Sequence, residues 1–355
     1  MVDILMKIIA VCAILGGIDR MLGNRFGLGK AFEQGFMMLG PVGLSMAGMI
    51  CLAPALASAL SGIITPFYQL LGQDPAMFGS FLAIDMGGYQ MAKTLAQDEV
   101  IGRFAGILVA STFGCTLSFT IPTGMGILSA EHRDDFAWGI MYGLITLPVA
   151  MLLGAVLCGI PFLTALWLCV PLAILSGVLA LLIAKWPEKA GKAFKGLAWL
   201  LKLMATAGLT IGAFQMISGI TLISAITPLD EAMRIVSTIC VTLLGSLPMA
   251  ELLQRLLKKP FTFLGEKLGI GAGGMMDMLL FYLNATPGLT AMDDLNAKGR
   301  RACAAFSVCA ASALIAHLAF TMDCEPSVAL TLMFIKLLGG ALGAALALVL
   351  TKMQA

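Results

Sequence analysis

The hydrophobic pattern of the chain is a series of long apolar runs cut by short polar stretches. A helix rises about 1.5 Å per residue, so about 20 apolar residues cross a hydrocarbon core of ~30 Å. Runs of that order occupy Val2 to Leu22, Gly35 to about Leu60, Val100 to Ile121 (ended by Pro122), Phe136 to Ile160 and Phe162 to Ala184. They continue with Leu197 to Ile226, Ala232 to Leu257, Gly299 to Thr321 and Ser327 to Thr351. Two segments are too short or too polar for an ordinary span. One is Pro75 to Lys93, which carries Asp85-Met-Gly87-Gly88-Tyr89; the other is the glycine-rich stretch Leu268 to Gly288, which carries Asp277 and Asn284. A charged loop, Glu131 to Asp135, and a basic loop, Lys185 to Lys195, separate the runs.

The order repeats. Each half reads span, span, short polar-tipped segment, span, span, with Phe162 to Ala184 left over. Asp85-Met-Gly-Gly aligns with Asn284-Ala-Thr-Pro287, Gly102-Arg103 with Arg300-Arg301, Phe119 with His317, and Glu33 with Glu231. The expected organisation is a first repeat over 1–160, a linker helix and basic loop over 161–195, and a second repeat over 196–355. Internal repeats of this kind are typical of secondary transporters, whose sites lie near the midplane in broken segments.

Loop charge decides whether the short segments cross. If both cross, the Lys and Arg residues divide evenly between the two sides. If both fold back, one side holds sixteen: Arg20, Arg25, Lys30, Arg133, four lysines of 185–195, Arg255, Lys258, Lys259, Lys267, Lys298, Arg300, Arg301 and Lys352. The other holds three, Lys93, Arg103 and Arg234. The rich side should be cytoplasmic. The expectation is therefore an all-α polytopic membrane protein built as an inverted repeat, with about nine full spans plus two re-entrant hairpins, eleven membrane segments in all. Its N-terminus is outside and its C-terminus cytoplasmic. From Ala76 to Asp85, and from Gly274 to Asn284, the helix rise gives roughly 14–15 Å, so both tips reach the midplane.

Composition agrees. Of 355 residues 59% are hydrophobic and 12% charged, and mean hydropathy is +0.97. Soluble domains carry about 25% charged residues. A net charge of +2 offers no nucleic-acid footprint. Nine cysteines lie scattered in apolar runs without a C-x-x-C pair, which suits small buried hydrophobes. The N-terminus lacks a basic leader and an A-x-A cleavage site, so it is taken as the first span. No Ser/His/Asp or metal-ligand cluster stands out, so catalytic residues, metal and cofactor are all expected to be none, and the chain is not expected to be an enzyme.

Asp85 is the first candidate for binding, because a carboxylate in the membrane needs a partner, water or a substrate. It either holds a small cation or pairs with a neighbour such as Lys93. Gly87 and Gly88 permit a tight turn and close approach of the backbone. Tyr89 offers a hydroxyl and a cation–π face, or simply packs at the interface. Asn284 supplies an amide at the mirrored tip, and Pro287 breaks the segment after it. Glu33 and Gln34 open the second span, either as ligands or as groups favoured by the helix dipole. Asp277 is either a second anionic site or a solvated group near the mouth of its hairpin. His317 is either a satisfied core residue or a proton-sensitive gate. Gly102-x-x-x-Gly106 and Gly339-x-x-x-Gly343 are small-residue faces for packing within the chain or for a homo-oligomer. Gly269-Ile-Gly271-Ala-Gly273-Gly274 lacks the strand and lysine of a phosphate loop.

Glu33-Gln-Gly-Phe-Met, Leu44-Ser-Met-Ala-Gly-Met-Ile-Cys-Leu-Ala-Pro54, Asp85-Met-Gly-Gly and His317-Leu resemble the ethanolamine permeases encoded in bacterial ethanolamine-utilisation operons. The resemblance runs nearly end to end. It implies uptake of ethanolamine across the bacterial cytoplasmic (inner) membrane by a facilitator, ahead of its breakdown to acetaldehyde and ammonia. Asn284-Ala-Thr-Pro287 departs from the Asn-Asn-x-Pro of that family, and the connection between the halves is short. The chemistry agrees: ethanolammonium is a small cation with one hydroxyl, which a midplane carboxylate plus an amide or hydroxyl would match at both ends. The alternatives are a Na⁺- or H⁺-coupled symporter of another small amine, with Asp277 or His317 as coupling site, and an intramembrane enzyme. The expected partners are ethanolamine and the lipid bilayer.

Overall fold

The computed structural model describes residues 2–84 and 87–354. Among them every regular element is helical, and eight helices are long and apolar enough to cross a membrane. The chain runs α1 (Val2–Met21), α2 (Leu28–Leu70), the short α3 (Ala76–Gly79) and α4 (Gly88–Leu95), α5 (Glu99–Ile127), α6 (Ala130–Leu157), α7 (Phe162–Lys185), α8 (Pro187–Ser218) and α9 (Leu229–Leu268). Then follow the short α10 (Gly274–Leu283) and α11 (Ala285–Ala291), α12 (Ala297–Cys324) and α13 (Pro326–Thr351). Helix α1 is of membrane length but carries Lys7, Asp19 and Arg20, and it is not one of the eight.

The apolar runs became helices because lipid leaves no other partner for backbone N–H and C=O groups. Several expected boundaries move. Helices α2 and α9 run on to Leu70 and Leu268, past the expected ends at Leu60 and Leu257; α8 stops at Ser218, short of Ile226; and the charged loop Glu131–Asp135 lies in the first turns of α6. Pro122 does not end its span: α5 runs through it to Ile127, and the proline falls where the helix changes from π to α register at Ile121. The basic loop Lys185–Lys195 is mostly the first turns of α8, which opens on Pro187. Lysines at a helix end can keep their charged heads in water while their stems lie along apolar surface. Pro287 does not break its segment either. It sits in the first turn of α11, and the break is at Asn284, which is extended at φ −152°.

Two groups of helices pack. Helices α6, α12 and α13 pack mutually, with α7 laid on α6; helices α1, α2 and α9 form the second group, with α8 against α2. Close approach uses small residues. A Cβ at Gly343 would stand 2.7 Å from the Ala305 carbonyl, and one at Gly106 would stand 3.1 Å from Tyr89 Cα. Both small-residue faces read from the sequence are therefore used inside the chain. The short pairs bridge the groups: α3/α4 pack on α2 and α5, and α10/α11 on α9 and α12.

The two ends of each short pair lie together. The Asp74 carboxylate accepts from the N–H groups of Ala76, Gln97 and Asp98, so it closes the mouth of α3/α4. At the other pair, Lys298 donates to the Leu268 carbonyl at 2.7 Å, and Asn296 donates to the Gly269 carbonyl at 3.3 Å. Helix α5 starts at the first mouth and ends beside Ser129, which donates to Asp293 at the second. Helix α12 starts at the second mouth and ends beside Glu325, which accepts from Tyr89 of α4.

Candidate functional site

The most apolar stretches of α5 and α12 are each 94% buried, whereas that of α8 is 22% buried. The centre of the protein is thus the α5–α12 pair. Both of its helices are irregular, as is α2 over Gly43–Ala47. Helix α5 is π-helical over Phe104–Gly114 and Thr116–Thr120, and α12 over Ala313–His317. A π-turn displaces carbonyls from the α-helical register, and such turns cluster at functional sites. The two spans are tied across their centre by Thr116, whose hydroxyl donates to the Val308 carbonyl at 3.0 Å.

Each break in a short pair is held by a serine of the adjacent irregular span. The Ala83 N–H donates to Ser118 Oγ at 3.2 Å, and the Ala285 N–H donates to Ser312 Oγ at 3.1 Å. Ser312 holds the second break twice, because its own N–H donates to the Phe281 carbonyl at 2.8 Å. At the matching place in the first pair, the bare Gly114 lies against the Leu82 carbonyl, where a Cβ would come within 2.1 Å.

The sequence candidates divide around these breaks. Asp85 lies outside the described residues, as does Met86. Gly87 takes φ +84°, a left-handed conformation that favours glycine, and packs against Met49 and Ala53 of α2. Gly88 approaches the segment's own carbonyls: a Cβ there would stand 2.5 Å from the Leu82 oxygen. Tyr89 is buried and edge-on to Phe320, and its hydroxyl donates to Glu325 at 2.8 Å. Lys93 donates to that hydroxyl at 3.3 Å and lies 5.5 Å from the ring centre. Arg103 pairs with Glu325 at 3.8 Å. Asn284 is half-buried and caps α11, accepting from the Thr286 N–H.

Asp277 and His317 are both fully buried, so Asp277 is not the solvated group that its position near a mouth allowed. Among the described residues neither Asp277 oxygen has a hydrogen-bond partner; the neighbouring Cys303 thiol donates to the Gly274 carbonyl instead. His317 Nδ1 also has no partner among the described residues. Glu33 and Gln34 are elsewhere. Both are exposed, and Glu33 pairs with Arg20 at 3.6 Å in a separate cleft shared with Gly17, Asn24 and Phe32. Neither expectation for Glu33 holds: the helix starts five residues earlier, at Leu28, with no acidic residue in its first turn, and Glu33 is left with a surface ion pair. Among the described residues no group of three His, Cys, Asp or Glu side chains could hold a metal.

Lys336 was not among the candidates read from the sequence. It is 1% exposed, and its ammonium donates to the Ser111 carbonyl in the π-helical part of α5. The signal was present: a single cation inside the apolar run of α13, which is rarely neutral in function. Ser118 and Ser312 were not among them either; nothing distinguishes these two in sequence from other helical serines.

Two cavities of about 460 Å³ flank the first break. One is mostly apolar and is bordered by Ser45, Met49, Ser118, Thr123 and Lys202. The other is polar and is bordered by Pro54, Tyr89, Lys93, Glu231, Arg234 and Asp323. Between them lies the contact of Gly87 with Met49 and Ala53. The first cavity lies toward the end of α5 at the Ser129–Asp293 contact, and the second toward the end of α12 at Glu325.

The chain matches the protein family described as "Ethanolamine utilisation protein, EutH" over residues 1–350. It is 35% identical over 339 residues to a probable ethanolamine permease of Listeria monocytogenes, covering 95% of this chain and 91% of that protein. The probable ethanolamine permease of Escherichia coli is 33% identical over 388 residues, covering 98% of this chain and 95% of its own length. An uncharacterised Bacillus subtilis protein is 32% identical over 354 residues, 99% of this chain and 95% of its own. No solved structure matches. The chain belongs to the EutH family.

Proposed function

We propose that this EutH-family chain is a permease that carries ethanolamine into the bacterial cell by alternating access, with the two broken helix pairs as its moving tips. The observation that carries the proposal is the pair of serine-held breaks in the buried centre, each belonging to a segment whose two ends lie together. A segment that enters and leaves at one place is a re-entrant hairpin. The contacts of α5 and α12 with both mouths support entry from opposite faces, and so an inverted repeat of eleven segments. Local chemistry supports the same repeat. Asp98 and Asn296 cap α5 and α12 through side-chain acceptors, and Gly114 stands to Leu82 as Ser312 stands to Phe281. The halves 1–160 and 196–355, joined through 161–195, follow from that correspondence.

Opening and closing then have a physical place. The contact of Gly87 with Met49 and Ala53 separates an apolar cavity on one side from a polar cavity on the other. Moving the tip by a few ångström joins the site to one cavity at a time, which is how alternating access is built around a fixed midplane site. Asp85, next to that contact in sequence, supplies the anion for the ammonium. Asn284 supplies an amide at the second tip, and its capping bond to Thr286 is weak enough to exchange for a substrate hydroxyl. The basic end of the bundle, with Arg133, Arg255, Lys298, Arg300 and Arg301, is the cytoplasmic one, so the N-terminus is outside.

The test is uptake of labelled ethanolamine into cells or proteoliposomes at acidic pH, where the substrate is a cation. Asp85→Asn at equal expression is expected to reduce uptake at least tenfold. Wild-type uptake no greater than in empty vesicles sinks the transport reading, and undiminished uptake by Asp85→Asn sinks the role of that carboxylate. A second reading is coupling to H⁺. It rests on the buried Asp277 and His317, which lack partners among the described residues for both carboxylate oxygens and for Nδ1. Uptake that ignores an imposed pH gradient removes it.

A further inference from the structure

The buried lysine of α13 is not needed to explain binding of a cationic substrate, and at first sight it opposes it. A fixed positive charge in the membrane interior is costly and persists where it has partners and a task. Lys336 sits within the apolar run of α13, next to both irregular spans. On α5 its ammonium donates to the Ser111 carbonyl, inside the π-helical stretch Phe104–Gly114. On α12 it is close enough to act electrostatically on His317 of the second π-helical stretch, and on Cys309. In the same stretch the hydroxyls of Ser111 and Thr112 donate to the Leu108 carbonyl of their own helix.

Backbone carbonyls of irregular membrane helices are ligands from which transporters build Na⁺ sites. Here a cation supplied by the chain itself stands on one such carbonyl, that of Ser111. The position also breaks the repeat. The correspondence that carries Asp98 onto Asn296 carries Trp138 of α6, which is partly exposed, onto Lys336. A purely structural device common to both halves would be expected twice.

We propose that Lys336 is a built-in cation, holding with its ammonium the place that a Na⁺ ion takes in Na⁺-coupled carriers, so that this chain transports without drawing on Na⁺. The proposal rests on the transport reading above. It makes Lys336 a positioning residue, which holds α5, α12 and α13 in register through charge, with no contact to the substrate.

Removing the charge should expose a Na⁺ requirement that the wild type lacks. Lys336→Gln removes the charge and leaves a shorter side chain with an amide donor; Lys336→Met removes charge and donor together. Each is purified and compared in sodium and in potassium buffer, first by thermal unfolding in detergent and then by ethanolamine uptake into proteoliposomes. The wild type is expected to show the same unfolding midpoint and uptake in both buffers. Lys336→Gln is expected to unfold several degrees higher in sodium, and to take up substrate about threefold faster there, because an ion that binds only the folded form stabilises it by mass action. Wild-type protein stabilised or stimulated by sodium overturns the proposal. So do neutral variants as indifferent to sodium as the wild type, and neutral variants lost from the membrane in both media. Wild-type protein that carries no ethanolamine sinks the transport reading alone, since the unfolding comparison still tests Lys336.

Discussion

Ser312 is the residue on which the second break turns, and replacing it by alanine and by glycine separates its two contributions. Its hydroxyl accepts from the Ala285 N–H at 3.1 Å, in a buried setting. Its backbone is left-handed, at φ 56°, ψ 24°. Alanine removes the acceptor and leaves a buried amide without one, which costs about 1–3 kcal/mol. It keeps the left-handed backbone, whose strain for a residue with a Cβ is about 1–2 kcal/mol. Glycine loses the same acceptor but relieves that strain, less about 0.5–1 kcal/mol for its greater freedom in the unfolded chain. Glycine should therefore be the better replacement at 312, by about 1 kcal/mol.

Ser118 at the first break provides the control. It accepts from Ala83 in the same way, but it lies within a π-helical turn of ordinary backbone sign. There glycine gains no relief and costs about 0.5–1 kcal/mol more than alanine. The expected order is wild type, then glycine, then alanine at 312, and wild type, then alanine, then glycine at 118. Thermal unfolding in detergent, followed by a thiol-reactive dye on the nine cysteines, most of them buried, reads the order directly. The same order at both sites, or an alanine at 312 as stable as the wild type, refutes the account of how the breaks are held.

Gly114→Ala places a Cβ 2.1 Å from the Leu82 carbonyl and 2.6 Å from that of Ser80, both backbone atoms. Overpacking of this kind costs about 1–3 kcal/mol, so a lower unfolding midpoint and impaired ethanolamine uptake are expected. Asp135 accepts from Arg300 at 2.9–3.0 Å and from Arg301 at 2.8 Å, with its side chain only 12% exposed. Asp135→Asn breaks a largely buried ion cluster at a cost of about 3–5 kcal/mol, and should greatly lower the yield of monodisperse protein on size exclusion. Burial pushes the Asp293 carboxyl up, but hydrogen bonds from His132 and Ser129 outweigh it and hold the group below its usual value. A lowered folded value means that its contribution is complete above the ordinary carboxylate range and is lost as pH falls through the lowered value. The difference in unfolding midpoint between wild type and Asp293→Asn should therefore be present at pH 7 and shrink below about pH 4; a difference that widens on acidification contradicts the assignment.

Much was legible in the order of residues. Apolar run length gave eight of the nine expected spans, all but the charge-bearing α1, because a hydrocarbon solvent leaves helix as the only way to satisfy a crossing backbone. The two polar-tipped segments stood out because they violate that rule, and the structure breaks the helix in both. Where boundaries were misplaced, at Pro122, Pro287 and Lys185–Lys195, the reason is local. A proline in a first turn, as at 287, a proline where a helix changes register, as at 122, and a lysine at a helix end are all compatible with helix, and hydropathy alone reads each as its end.

What only the tertiary structure decided is which polar groups meet. Glu33 and Asp277 are both carboxylates in or beside apolar runs. Packing leaves the first on the surface beside Arg20 and buries the second in the first turn of α10. Ser118 and Ser312 look like any helical serine until the breaks of α3/α4 and α10/α11 are laid against α5 and α12. Lys336 is one charge in a greasy helix until α13 brings it onto the Ser111 carbonyl. Run length and periodicity report how a segment relates to its solvent, and lipid is uniform, so they determine the spans. Partnership inside the bundle depends on contacts between segments far apart in the chain, whose positions are fixed only when the helices pack.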